Sequence, residues 1–295
     1  MIRADNYVSG RFVPPSSGGY LTVSNPATSD PVGYVALSSK SDVDAAVSSA
    51  RAAFVPWSRR TVKSRSAVLL RFHSLIVENA RELADLIVLE NGKNITEALA
   101  DVAKGNETVE YAASMPQLFQ GRTLRVSGTV NCLDRRDALG VVVSVAPFNF
   151  PLMVPMWTVP IALACGNAVI LKPSEKVPLT MRRVAELLAE AGLPDGVFNM
   201  VQGTAECVEA LIDHEDVRCV FFGSLLFFLL YSLFLLLLSP RVLLRGYGAL
   251  LPPLPHPLFR GRGGYRENTD PPANPPRILL SPPRVAKKTN DLTPT

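Results

Sequence analysis

The chain has 295 residues, of which 47% are hydrophobic, and a formal net charge of +4. It is therefore long enough to bury a sizeable core in one large or two ordinary domains. The basic excess belongs to residues 225–295, with nine Lys/Arg and three Asp/Glu, whereas residues 1–224 hold 21 basic and 23 acidic residues. The charge gives no reason to expect nucleic-acid binding. The start, MIRADNYVSG, shows no leader pattern, so the compartment stays unknown.

The first part of the chain is predicted to form short strands followed by helices. Residues 7–37 alternate brief apolar runs with Pro, Gly and Ser turns, which is typical of short strands. Ser41 and Asp44 have the spacing of a capping box, and DAAVSSARAAF predicts the helix that it opens. Apolar residues then recur at helical spacing over residues 64–90, with a stop at Gly92. A further helix is expected directly afterwards.

From Ala138 onward, strands and helices are predicted to alternate. Four continuous apolar runs are typical of strands buried on both faces: LGVVVSVAP, NAVILKP, GVFNMVQG and VRCVFFGS. Three helical segments separate them: PLMVPMWTVPIALACG, PLTMRRVAELLAEAG and TAECVEALIDH. This order predicts an α/β fold with a parallel sheet and crossover helices. Ligands of such sheets bind at the carboxyl ends of the strands.

Two turns at those ends carry side chains suited to a dinucleotide enzyme. In LKPSEK, the Glu175 carboxylate could accept hydrogen bonds from both ribose hydroxyls and would repel a 2′-phosphate, while Lys172 could pair with ribose or phosphate. In APFNFP, a rigidly held Asn149 amide could stabilise an oxyanion. Taken alone, each turn is better explained by ordinary loop side chains, and the sequence has no G-x-G-x-x-G.

Together, however, the segments form a specific pattern. APFNFPLMVPMW, ACGNAVILKPSE, GLPDGVFNMVQG and FFGS, in this order, closely resemble the NAD-dependent aldehyde dehydrogenase superfamily. Within it, PFNFP and ACGN resemble the CoA-acylating methylmalonate-semialdehyde dehydrogenases. The resemblance covers residues 5–224, roughly the first half of a family member. It implies a Rossmann-like cofactor domain over residues 1–224, truncated relative to the family, with a β-arm at residues 121–137. It also implies a homo-oligomer in the mitochondrion or cytoplasm.

The resemblance further implies roles for individual residues. Asn149 is expected to be the oxyanion-hole amide. Lys104 stands where relatives carry an arginine for the substrate carboxylate, which keeps the charge but loses the bidentate fork. Six residues are expected to bind NAD: Ala146 and Phe148 at the nicotinamide, Lys172, Glu175 and Lys176 at the adenosine ribose, and Ser224 at the pyrophosphate.

The implied reaction is attack of a cysteine thiolate on methylmalonate or malonate semialdehyde, hydride transfer to NAD and release of the acyl group to CoA. The nucleophile of such enzymes lies well after FFGS, and no cysteine follows Cys219, so we expect no activity from this chain. Cys165 has no nearby base and is interpreted as a core thiol, and the cysteine spacing predicts neither a metal site nor disulfides. Two alternatives are a different aldehyde substrate and an inactive cofactor-binding or membrane-attached remnant.

The sequence changes character abruptly after Ser224. Residues 225–238 comprise nine Leu, three Phe, one Tyr and one Ser, and residues 220–238 carry no charge. Three interpretations are open: a transmembrane anchor, a core helix that is apolar on every face, or a departure from the family's reading frame. We favour the third. Residues 239–295 are rich in proline, which predicts disorder.

Overall fold

The computed structural model describes residues 1–128 and 130–223. The predictions for Ser224 and for residues 225–295, with their apolar segment and Pro-rich tail, therefore lie outside the described residues. Within the described part of the chain, no helix combines the length and the apolar character needed to cross a bilayer.

The described residues contain eleven strands in three sheets, numbered in chain order. The central sheet contains, in spatial order, β11 (Val217–Phe222), β8 (Val141–Val145), β9 (Ala168–Lys172), β10 (Phe198–Met200), β2 (Asn6–Val8) and β3 (Arg11–Val13). A second sheet contains β1 (Ile2–Ala4), β5 (Pro31–Ala36) and β4 (Tyr20–Ser24), and a third contains β6 (Arg122–Arg125) and β7 (Asn131–Asp134). The first four strands of the central sheet are parallel, and antiparallel pairing begins at β2.

Eight helices are present among the same residues. They are α1 (Lys40–Ser58), α2 (Val62–Glu78), α3 (Ala80–Asn91), α4 (Ile95–Ala113), α5 (Met115–Leu118), α6 (Met153–Ala164), α7 (Leu179–Glu190) and α8 (Ala205–Asp213). Helices α6, α7 and α8 connect β8, β9, β10 and β11 in turn, as crossover connections between parallel strands require. The predicted α/β fold with a parallel sheet and crossover helices is confirmed.

The parallel strands are buried on both faces. Along β8, Val142 joins the core formed with α2, α3, α4, α6 and α7, whereas Val141 and Val143 join the core formed with α1 and α8. Along β9, Leu171 joins the same core as Val142, and Ile170 joins the same core as Val141 and Val143. Because neither face meets water, no alternation of polar residues is needed, and this explains the continuous apolar runs in the sequence.

The predicted helix over residues 64–90 is two helices in the structure. The break between α2 and α3 is at Asn79, whose Nδ2 donates a hydrogen bond to the Leu75 carbonyl at 2.7 Å. An asparagine can satisfy a backbone carbonyl at a helix end, so the apolar spacing continues while the helix does not. The predicted stop at Gly92 is confirmed, because this residue caps α3 in the left-handed region with φ of 79°.

The capping box of α1 also differs from the prediction, because it uses Ser39 and Asp42 rather than Ser41 and Asp44. The Ser39 amide donates to Asp42 Oδ2 at 2.8 Å, and the Ser16 amide donates to Asp42 Oδ1 at 2.9 Å. Burial raises the pKa of Asp42, but these bonds outweigh burial and hold the pKa below its ordinary value. The cap therefore ties α1 to the loop before β4, a partner that helical spacing cannot indicate.

Residues 121–137 contain the two-stranded antiparallel sheet of β6 and β7. All residues of both strands are exposed, including Leu124 and Leu133. An exposed ribbon with large apolar side chains suits contact with another surface. Its use in assembly stays a prediction.

Candidate cofactor and active site

The carboxyl ends of β11, β8 and β9 lie side by side. Phe222 pairs in register with Val145, and Val145 pairs with Lys172. Beyond these pairs, the Gly223 amide donates to the Val145 carbonyl and the Ala146 amide donates to the Lys172 carbonyl, each at 3.0 Å. Residues 221–223 and the turns APFNFP and LKPSEK therefore meet at one edge of the sheet, where a ligand of a parallel sheet is expected.

The packing at this edge is close. A Cβ on Gly223 would overlap Val154 Cγ1 and lie 2.9 Å from Pro147 Cδ. A side chain at this position would thus force Gly223 away from the start of α6. Ala146, which was predicted to line the nicotinamide, directly follows β8 at this edge and is buried.

Lys172 and Glu175 form an ion pair at the end of β9. Lys172 Nζ lies 3.0 Å from Glu175 Oε2, and the Lys172 side chain is 6% exposed, whereas that of Glu175 is 33% exposed. Burial raises the pKa of Glu175, but its own backbone amide, Lys172 and Lys176 outweigh burial and place the pKa below its ordinary value. Glu175 is therefore an ionised acceptor that faces solvent and is held from behind by a buried ammonium group.

Four of the predicted site residues share one cleft. Phe148, Asn149, Glu175 and Lys176 line an open cavity of about 680 Å³ that also borders β4. Lys176 Nζ lies 4.8 Å from the centroid of the Phe148 ring, a cation–π contact that links the two turns. Lys172 does not line the cavity but contacts Glu175 from the buried side. Ser224 lies outside the described residues.

Lys104 lies in a different cavity, of about 310 Å³, between α4 and the loop that carries Asn149. Phe150 and Met153 form the loop side of this cavity. Lys104 Nζ bonds to Glu107 Oε1 at 2.8 Å, and both side chains are 62% exposed. The predicted substrate residue is therefore near the Asn149 loop but separate from the cleft, and its charge is already paired.

The residues that hold the Asn149 loop were not predicted from the sequence. Asn91 donates to the Phe148 carbonyl, and Asp101 accepts from the Met153 amide. These residues lie at the end of α3 and in α4, so about 50 positions separate them from the loop in the chain. Single polar residues in helical segments give no sequence signal for such distant partners. The sequence predicted only that the first of these helical segments ends at Gly92.

Among the described residues, three cysteine thiols are unsuited to nucleophilic attack. Burial raises the pKa of Cys165, although Arg65 lies nearby and lowers it in part. Burial also raises the pKa of Cys207 to about 12 and that of Cys219 above its ordinary value. A thiol with a raised pKa is mostly protonated at neutral pH and therefore reacts slowly. The described side chains also contain no cluster of three or more His, Cys, Asp or Glu suited to a metal ion.

Both the sequence and the fold match known proteins. Residues 12–225 match the sequence profile of the aldehyde dehydrogenase family. The chain belongs to the aldehyde dehydrogenase family. The resemblance predicted from the turn segments is thereby confirmed, and the parallel sheet of this aldehyde dehydrogenase chain matches those of solved family structures.

Several of the matched relatives are named semialdehyde dehydrogenases. Malonate-semialdehyde dehydrogenase 1 of Shouchella clausii is 45% identical over 224 residues, which are 75% of this chain and 46% of that protein. A methylmalonate-semialdehyde dehydrogenase structure from Oceanimonas doudoroffii matches with a TM-score of 0.73 and 38% identity, covering 75% of this chain and 45% of that one. A Sinorhizobium meliloti structure in complex with NAD, assigned as a methylmalonate-semialdehyde dehydrogenase, matches with a TM-score of 0.74, 38% identity and the same coverage. This aldehyde dehydrogenase chain spans about half the length of the relatives it matches.

Proposed function

We propose that residues 1–224 are the cofactor domain of an NAD-dependent, CoA-acylating dehydrogenase that oxidises malonate or methylmalonate semialdehyde. The observation that carries this proposal is the ion pair of Lys172 with Glu175 at the carboxyl end of β9. The names of the semialdehyde dehydrogenase relatives support the substrate. When bound, NAD supplies the acceptor for the hydride that leaves the aldehyde carbon.

Glu175 is the residue that selects the cofactor in this proposal. Its pKa lies below the ordinary value, so the carboxylate is ionised and can accept both hydroxyls of an adenosine ribose. The same charge repels a 2′-phosphate, which favours NAD over NADP. Lys172 orients the carboxylate, and Lys176 keeps Phe148 beside it through the cation–π contact. Ala146 at the nicotinamide and Ser224 at the pyrophosphate complete the proposed site.

Asn149 has the catalytic role in this domain. Its amide N–H is proposed to donate to the substrate oxygen as negative charge develops there. Loss of one such donor in other enzymes reduces kcat by about 10²–10³-fold. The amide is neutral, so it strengthens its bond to the oxygen as charge forms without binding the uncharged aldehyde equally well.

Lys104 is the proposed contact for the substrate carboxylate. The cavity beside it is bordered by Phe150 and Met153, so a bound carboxylate there would place the aldehyde close to the Asn149 loop. The ion pair with Glu107 must then open or share its charge. A second candidate substrate is an aldehyde without a carboxylate, and the satisfied Lys104–Glu107 pair is the observation that favours it.

No cysteine follows Cys219 in the sequence, so we expect no NADH formation from these 295 residues alone. We propose that residues 225–238 and the Pro-rich residues 239–295 depart from the family's reading frame, with a membrane-attached remnant as the alternative. Homo-oligomer formation through residues 121–137 is proposed for the complete enzyme.

Calorimetric titration of the chain with NAD and with NADP tests the cofactor site. NAD should bind more tightly, and Glu175→Gln should reduce the preference by on the order of tenfold, the size of one nearby charge–charge repulsion. Glu107→Gln is the matched control, because it neutralises an exposed, ion-paired glutamate of α4 that does not line the cofactor cleft. Tighter binding of NADP by the unmutated chain would overturn the assignment of Glu175.

Absorbance at 340 nm with NAD, CoA and malonate semialdehyde tests turnover. We expect no NADH above the rate without protein. Sustained NADH formation that depends on CoA would show that a cysteine within these residues supplies the nucleophile. In that case serine variants of each of the four cysteines, Cys132, Cys165, Cys207 and Cys219, would identify the residue.

A further inference from the structure

The loop that carries Asn149 is held on both sides, by Asn91 at the end of α3 and by Asp101 in α4. Before Asn149, Asn91 Nδ2 donates to the Phe148 carbonyl at 2.8 Å. After it, the Met153 amide donates to Asp101 Oδ1 at 2.7 Å. The two bonds are five residues apart in the loop, so they fix the backbone that enters and leaves Asn149.

A buried charge pair reinforces the second bond. Lys93 Nζ lies 2.8 Å from Asp101 Oδ2, and the two side chains are 14% and 0% exposed. The ammonium group also lies 3.9 Å from the centroid of the Phe150 ring, which belongs to the same loop. The lysine thus neutralises the carboxylate that holds one end of the loop and contacts the loop directly.

The helix behind the loop leaves little room for movement. A Cβ on Gly105 would overlap Leu152 Cδ2 and lie 3.2 Å from Met153 Cα, so α4 packs against the loop through its backbone. By contrast, the Asn149 side chain is exposed and has no hydrogen-bond partner among the residues that the structure describes. Its orientation depends on the backbone that carries it.

We propose that Asn91, Lys93 and Asp101 are positioning residues that fix the backbone on both sides of Asn149 and so aim its amide at the substrate oxygen. The proposal rests on the proposed function of Asn149. An oxyanion donor contributes only if it is aimed before the reaction, because reorienting it would consume the stabilisation that it provides. Two hydrogen bonds and one ion pair, all made by residues 91–101, provide that orientation.

Amide hydrogen exchange of the full chain, resolved to the peptide spanning residues 146–157, tests the proposal without any ligand. Asn91→Ala should accelerate exchange in this peptide by about tenfold, the effect of losing one ordinary hydrogen bond. Asp101→Asn, which keeps an acceptor for the Met153 amide but leaves Lys93 without an anion, should do the same. Glu107→Gln removes an exposed ion pair from the same helix and should leave exchange unchanged.

Two further measurements separate positioning from general stability. In chains with ¹⁵N-labelled asparagine, the Asn149 side-chain signal, identified by its loss in Asn149→Asp, should shift in Asn91→Ala. The side-chain signal of Asn167 should keep its chemical shift. Its Nδ2 donates to the Ala162 carbonyl near the end of α6, whereas the Asn149 loop precedes the start of this helix. Lys93→Arg should restore the slow exchange that Lys93→Met loses.

Unchanged exchange in both Asn91→Ala and Asp101→Asn would overturn the proposal, as would equal movement of the Asn149 and Asn167 signals. If Asp101→Asn fails to fold, Asn91→Ala decides the question, because the Asn91 side chain is partly exposed. These measurements need no cofactor or substrate. Failure of the positioning proposal is therefore distinguishable from failure of the proposed function, which the NAD titration judges.

Discussion

Replacing Glu90 with Gln is expected to remove much of the pH dependence of the chain's stability near neutrality. Glu90, in the last turn of α3, is buried against the start of α7 and accepts hydrogen bonds from the Leu179 amide at 2.6 Å, the Thr180 amide at 2.9 Å and the Thr180 hydroxyl. Burial nevertheless raises its pKa from 4.5 to about 7, because the carboxylate forms no ion pair with any of the described residues and these bonds lower the pKa only in part.

The sign and size of the effect follow from this pKa. Between pH 4.5 and pH 7 the folded chain keeps a proton on Glu90 that the unfolded chain releases, so protonation stabilises the fold. This contribution is complete below pH 4.5 and is lost as pH rises through 7. Each pKa unit corresponds to about 1.4 kcal/mol, so the free energy of unfolding should fall by about 2.5 kcal/mol between pH 5 and pH 8.

Urea unfolding followed by circular dichroism at pH 5, 6, 7 and 8 measures this contribution. Glu90→Gln should cost about 1–3 kcal/mol at pH 5, because one backbone amide loses its acceptor. Its stability should then vary less with pH than that of the unmutated chain, by about 2.5 kcal/mol over this range. Glu97→Gln, an exposed glutamate in the first turn of α4, is the control and should keep the original slope. Equal slopes in Glu90→Gln and the unmutated chain would refute the reasoning and show that the helix amides keep Glu90 ionised.

Two further predictions concern packing and thiol reactivity. Gly105→Val should destabilise the chain by about 1–3 kcal/mol in urea unfolding, because its Cβ would overlap Leu152, whereas Ala103→Val on the exposed face of the same helix should cost less than about 1 kcal/mol. Equal losses would contradict the close approach of α4 and α6. At pH 8, a single rapid thiol reaction with a disulfide reagent is expected at the exposed Cys132, since the other three cysteines have raised pKa values. Persistence of the rapid phase in Cys132→Ser would assign it to another cysteine.

The parallel sheet and its site turns were predictable because their signals are local. A strand buried on both faces must be apolar throughout, as Val141–Val145 and Ala168–Lys172 are, and the turns that follow them occupy a known edge. The helix over residues 64–90 was predicted without its break, because apolar spacing continues through Asn79 while the backbone does not. The capping pair was misplaced by two residues because several Ser and Asp side chains there fit the same pattern.

The sequence by itself determined the fold class, the family and the edge where Asn149, Lys172 and Glu175 lie, since each of these depends on runs of neighbouring residues. Only the tertiary structure decided which charges face solvent and which are buried and paired. Asp101, buried between Lys93 and the Met153 amide, and Glu90, buried against α7, are ordinary acidic residues of helical segments in the sequence. Their partners are 8 to 90 positions away along the chain. Because the burial and hydrogen bonding of these residues arise from the way the helices pack, no local sequence pattern predicts them.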